Sequence, residues 1–319
     1  MFFLRFIPIY KQKIWGGRCF KDLFKRSLIP NYTVGESWEL VDRPGDQSVV
    51  AEGKYQGKTL RFILENDGLN LMGPHWDCSR RFPILVKWLD CQDRLSLQVH
   101  PPEAIAKELN GEPKTECWYI ANKNSNAELI AGLKKNVTRK SFAKALEQKT
   151  LTSLVHRIPV KNGDSLFVPS GRLHAIDKGN LILEIQQNSD TTYRVYDWER
   201  LGLDGKPRNL QLEESLKSID FDDFEPSIRP SNDQKESVIA DCNYFRIRKF
   251  KLVSKDEPIF LKEGNTRLLH LVKGNLTVID NQKNRYLLSA GQNALLSYAG
   301  EWKLFTTEDS ILLITDNFS

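Results

Sequence analysis

Short apolar or alternating runs recur along the whole chain, most of them set off by Gly, Pro, Asn or Asp. Residues 38–41, 82–89, 95–99, 117–121, 165–169, 181–187 and 193–198 form one series, and 244–253, 266–272, 276–279, 294–297 and 311–315 form another. Runs of this length and punctuation predict strands, and so many of them predict a mainly β chain folded as sandwiches or barrels. Helical spacing interrupts the strands at 60–71, 102–109, 138–156 and 212–219. In the third of these, Phe142, Ala145, Leu146, Lys149 and Ser153 share one helical face. Residues 1–10 are apolar but short and carry Arg5, which predicts a strand rather than a leader.

The segment 222–236 is polar and contains Pro226 and Pro230, as a linker would. It divides the chain into an expected front unit, 1–222, with a small helical insertion at about 127–157, and an expected rear unit, 237–319. Gly163 to His174 runs as turn, strand, turn and candidate ligand, and Gly291 to Lys303 repeats the rhythm without the His. Two related β units are expected, of which only the first carries a site.

A length of 319 residues suits two domains. The 46 Lys and Arg are interspersed among 41 acids for a net charge of +5. The densest basic stretch, 134–140, lacks interleaved aromatics, which argues against a nucleic-acid face, while a small anionic substrate fits the balance. Five cysteines without C-x-x-C spacing argue against a disulfide framework or a thiolate zinc site. No uncharged run reaches membrane-spanning length. A cytoplasmic location is expected.

Chemistry concentrates in three segments. If 95–99 is extended, Ser96, Gln98 and His100 share one face, opposite Leu95, Leu97 and Val99. In the next segment Lys114, Glu116 and Trp118 share a face. In the third, Gly171 permits a tight turn just before His174. Two imidazoles, a carboxylate and an amide oxygen form a donor set suited to zinc or a similar divalent ion. Other histidines, His75, His156 and His270, have no companions and read as structural or surface residues.

The spacing G-x5-P-x-G-x2-H, at Gly163, Pro169, Gly171 and His174, with H-x15-E from His100 to Glu116, resembles the two cupin motifs. Gln98 stands where most cupins have a first His. With Trp15-Gly16-Gly17, Gly35-Glu36-Ser37-Trp38-Glu39, Phe82-Pro83 through Lys87, Gln98-Val99-His100-Pro101, Lys114-Thr115-Glu116 with Trp118, Ser189-Asp190-x3-Arg194 and Gly205-Lys206-Pro207-Arg208, the chain resembles the type I phosphomannose isomerases in a compact bacterial form. The resemblance implies two cupin-like jelly-roll units and interconversion of mannose 6-phosphate and fructose 6-phosphate. It implies one Zn2+ per chain on Gln98, His100, Glu116 and His174, with Arg194 as catalytic arginine and Lys114 and Glu184 in the pocket. The expected partner is a sugar phosphate, with no nucleic acid or membrane, and the expected state a monomer or homodimer. Other metal-cupin enzymes and a non-catalytic sugar-binding cupin are the competing readings.

Aldose–ketose isomerisation moves a proton between C1 and C2 through an enediolate, so it needs a stabilised oxyanion and a base. Lys114 and Glu184 are both candidates for the base. Arg194 suits either the enediolate or the phosphate.

Overall fold

The computed structural model describes residues 1–318, and strands dominate it. A front six-stranded sheet runs in the order Ser165–Val168, Glu116–Lys123, Asn180–Gln187, Ile84–Cys91, Glu36–Leu40, Ile9–Lys11. Facing it, a five-stranded sheet runs Val155–Pro159, Glu128–Leu133, His174–Ile176, Leu97–Val99, Tyr193–Tyr196. Inner-face apolar residues of both sheets, among them Trp118, Ile120, Ile182, Leu129 and Ile176, fill the space between them. In the rear, a six-stranded sheet (Phe3–Leu4, Asn293–Leu296, Arg267–Lys273, Ser310–Asp316, Arg246–Leu252, Glu236–Asp241) faces a four-stranded one (Ile259–Leu261, Trp302–Phe305, Asn275–Asp280, Arg285–Ser289). The mainly β architecture of two sandwich units is the one the strand pattern predicts. No helix among the described residues is long and apolar enough to cross a membrane.

The two six-stranded sheets and the helix Leu60–Met72 share one core, where Val86, Trp88, Leu183 and Ile185 of the front meet Ile247, Leu268, Leu295 and Leu313 of the rear. The strand Asn180–Gln187 is therefore buried on both faces, Leu183 and Ile185 outward and Glu184 inward. Such a two-sided core holds the inner face rigidly.

Several elements differ from the sequence expectation. Residues 1–10 split between two sheets: Phe3 and Leu4 pair with Leu296 and Leu295 in the rear, and Ile9–Lys11 pairs with Glu36–Leu40 in front. Alternation explains the crossing, since Phe3 enters the rear core while Phe2 and Leu4 enter the shared one. The helix expected at 138–156 is confined to Arg139–Glu147, started by a Thr138–Ser141 capping box and stopped where Lys149 turns left-handed at φ 58°. Beyond it Val155–Pro159 pairs with Glu128–Leu133, so the insertion's helix is framed by a hairpin. The 102–109 helix shrinks to Glu103–Ala106. The linker is pinned to the front unit by the Arg172–Asp223 ion pair and by bridges from Leu133 to Phe224 and Ser165 to Arg229.

The internal repeat is visible in three dimensions. Gly163 and Gly291 both take positive φ, each leads a four-residue strand of a six-stranded sheet, and each chain then crosses to the facing sheet at His174–Ile176 or Trp302–Phe305. Trp302 occupies the position of His174 and is buried, so the rear unit fills with indole the space where the front one places an imidazole.

His270, fully buried in the rear sheet, bonds Asn293 Oδ1 through Nδ1 at 2.7 Å and Thr315 Oγ1 through Nε2 at 2.9 Å. Burial lowers its pKa to about 4 from an ordinary 6.5. Between those values the unfolded chain binds the extra proton, so stability is lost as pH falls through this window. Urea unfolding should show a loss of about 2 kcal/mol from this residue between about pH 7 and about pH 5, removed in His270→Gln.

Candidate metal centre and catalytic pocket

Strand register assembles the site. Leu97–Val99 lies between His174–Ile176 and Tyr193–Tyr196, and Gln98 pairs with His174 on one side and Arg194 on the other. Paired residues share a face, so these three project together. From the facing sheet Glu116 begins its strand opposite Gln186 and Val168. His100 follows the central strand, held where Gly171 N–H donates to its carbonyl at 2.8 Å.

His100 Nε2 is 3.7 Å from Glu116 Oε2, and His174 Nε2 is 3.5 Å from Glu116 Oε1. Candidate ligand atoms of these three buried residues lie within 4.8 Å of one another. His100 Nδ1–H donates to Thr191 O and His174 Nδ1–H to Arg172 O, both at 2.8 Å. A carbonyl can only accept, so each neutral ring keeps its Nε2 lone pair on the Glu116 side. Burial above all lowers the pKa of both histidines, helped at His100 by the Lys114 cation. Gln98 turns its amide nitrogen to His174 Nε2 at 3.2 Å, and a half-turn of that amide presents its oxygen. Lys114 Nζ lies 3.1 Å from Glu116 Oε2 and 3.4 Å from His100 Nε2.

A second row crosses the six-stranded sheet. Trp118, Glu184, Lys87 and Trp38 stand in register on adjacent strands. Trp118 Nε1 donates to Glu184 Oε1 at 3.0 Å, and Lys87 Nζ lies 3.5 Å from Glu184 Oε2. Burial and then the Glu116 charge raise the Glu184 pKa. Beyond Lys87, burial opposes ionisation of Glu36, but Lys13 and Lys87 overcome it and hold the carboxyl down at about 2. The row opens on a cavity of about 280 Å³ in which Lys13, Lys87, Lys114, Arg194 and Arg208 outnumber Glu36, Glu184 and Asp190 by two charges. That excess suits an anionic ligand.

Residues 3–131 match the family model for phosphomannose isomerase type I, catalytic domain. Mannose-6-phosphate isomerase ManA of Bacillus subtilis (strain 168) is 37% identical over 312 residues, 94% of this chain and 95% of that protein. The chain belongs to the type I phosphomannose isomerase family. A crystal structure of the mannose 6-phosphate isomerase from Bacillus subtilis superposes with a TM-score of 0.87 at 30% identity, covering 99% of each chain. A zinc-bound mannose 6-phosphate isomerase shares the fold at a TM-score of 0.75 and 14% identity, covering 99% of this chain and 100% of that one.

Within this family member the residues fit a metal. Both Glu116 oxygens are buried and accept no hydrogen bond, the Lys114 contact being an ion pair outside hydrogen-bonding geometry. Lys114 supplies one counter-charge, but two buried oxygens without a hydrogen bond are costly, and a metal ion would complete them. The seven residues singled out from the sequence all lie in this region: His100, Glu116 and His174 cluster, Gln98 and Lys114 touch the cluster, and Glu184 and Arg194 line the cavity beside it.

Lys87 and Arg208, which the sequence shows only as the ends of two family-like motifs and not as site residues, also line the pocket. Lys87 had a signal, a lysine in the middle of the otherwise apolar run Ile84–Trp88. Arg208 lies in the family-like motif Gly205-Lys206-Pro207-Arg208, but only folding brings it to the pocket. Asp197 Oδ2 accepts from Arg208 Nε at 2.6 Å and its Oδ1 from Arg200 Nε at 3.2 Å. Arg194 donates through Nη1 to Asn209 O at 2.8 Å while its Nε stays buried without a partner. Burial, then Arg208, lowers the Arg194 pKa.

Proposed function

We propose that this protein interconverts mannose 6-phosphate and fructose 6-phosphate with one zinc ion per chain held by Gln98, His100, Glu116 and His174. The observation that carries the reading is the buried Glu116 carboxylate, free of hydrogen bonds and faced by two imidazole Nε2 atoms. Zinc in a relative of the same fold supports the choice of ion. A bound zinc would supply Lewis acidity at the sugar's carbonyl and hydroxyl oxygens.

The chain's own groups do the rest. Glu184 takes the proton from one of C1 and C2 and returns it to the other, oriented by Trp118 and Lys87. Its raised pKa brings a carboxylate closer to the range where it can both accept and release a proton. Lys114, in contact with Glu116, is less free to serve as base and instead adds positive charge beside the sugar oxygens. Arg194 and Arg208 hold the phosphate. The front unit is the catalytic domain and the rear one a degenerate cupin-like domain. The protein acts in the cytoplasm as a monomer or homodimer, on a small sugar phosphate, with no nucleic acid or membrane as partner.

The test is a coupled assay with mannose 6-phosphate before and after exhaustive chelation. Activity should vanish and return with zinc. An unchanged rate rules out the metal, and no turnover by the zinc-loaded protein rules out the substrate. Asp197→Asn should raise KM about tenfold with kcat little changed, since one charge-assisted clamp on Arg208 is weakened. Initial-rate kinetics on phosphorylated substrate check this.

A further inference from the structure

A second cavity, of about 490 Å³, opens where the front and rear six-stranded sheets diverge. The rear sheet presents Lys249, Lys251 and Lys273, the front sheet Tyr119 and Asn122, and the connecting segment Ser231 and Asp233. Lys249 is only 4% exposed, and among the described residues it makes no ion pair, its Nζ donating at 2.7 Å to Asn232 O and at 3.3 Å to Asn232 Oδ1. Asp233, the sole acid in the lining, is paired with Lys251 at 2.6 Å, so the lining carries a net charge of about two positive units. Tyr119 is 5% exposed, and its hydroxyl has no hydrogen-bond partner among the described residues. Burial lowers the Lys249 pKa, the Asp233 charge only partly opposing it, so a further anion beside Lys249 would favour its charged form.

We propose that this cleft binds a phosphoryl dianion, as inorganic phosphate or a small phosphate ester. Dispersed ammonium groups with a phenol and amides around them suit a tetrahedral anion with several acceptor oxygens, whereas a planar carboxylate is matched by the fork of an arginine, which the lining lacks. The site is separate from the catalytic pocket: Glu116 and Trp118 face the interior of the front unit, and Tyr119, on the same strand, faces the cleft.

Isothermal titration tests it on the full chain carrying Arg194→Ala and Arg208→Ala, which remove the catalytic pocket's arginines. Inorganic phosphate should still bind at one site. Adding Lys249→Met should weaken it at least about tenfold, and Lys251→Gln with Lys273→Gln should weaken it as well. Glycerol 3-phosphate binding alongside phosphate marks a site for esters, and binding of phosphate alone marks one for the free ion. No binding in the arginine-free background, or binding unaltered by the lysine changes, overturns the proposal. Should Lys249→Met fail to fold, the rim pair, which leaves the buried lysine in place, decides.

Discussion

Glu116→Gln should yield a folded protein that retains no zinc and loses isomerase activity by on the order of 10³-fold or more, since Lewis-acid stabilisation contributes several kcal/mol. Glu116 is the one candidate ligand that reaches both imidazoles, with an oxygen 3.7 Å from His100 Nε2 and another 3.5 Å from His174 Nε2. Gln98 already supplies a neutral amide, so a second amide leaves the set without negative charge. A metal that binds only the folded state raises its melting temperature. Added zinc should therefore raise the wild-type melting temperature and leave the variant's unmoved. A variant with full metal content and normal turnover would remove Glu116 from the centre.

Glu184→Gln should lower kcat by about 10²- to 10⁴-fold, the span of a lost general base, while zinc content and the zinc-dependent melting shift persist. The amide matches the carboxylate in size and can still accept the Trp118 indole bond, now 3.0 Å long. Its loss is thus one of proton transfer rather than of packing. Lys114→Met supplies the contrast, because Lys114 touches Glu116 and His100 directly and its removal should disturb metal affinity as well as rate. If Glu184→Gln keeps kcat within about tenfold of wild type while Lys114→Met does not, the base is Lys114.

The residues that cluster around Glu116 were legible because each is encoded locally. Alternation in residues 95–100 placed Gln98 and His100 on one face, and the glycines before His174 announced the turn that delivers it. Register was not legible. That Gln98 sits between His174 and Arg194, or that Trp118, Glu184, Lys87 and Trp38 align across four strands, depends on pairings between residues far apart in the chain. Burial on both faces hid further features: the strand Glu128–Leu133 shows no alternation because one side meets the inner core and the other the helix Arg139–Glu147. The crossing of Phe3–Leu4 into the rear sheet had no local signal, since a short apolar run fits either sheet.

The most direct test is an anomalous difference map at the zinc absorption edge, from crystals of protein purified and grown without added metal. A single strong peak enclosed by Gln98, His100, Glu116 and His174 is expected. Catalytically active crystals with no peak there, or with one elsewhere in the molecule, would contradict it.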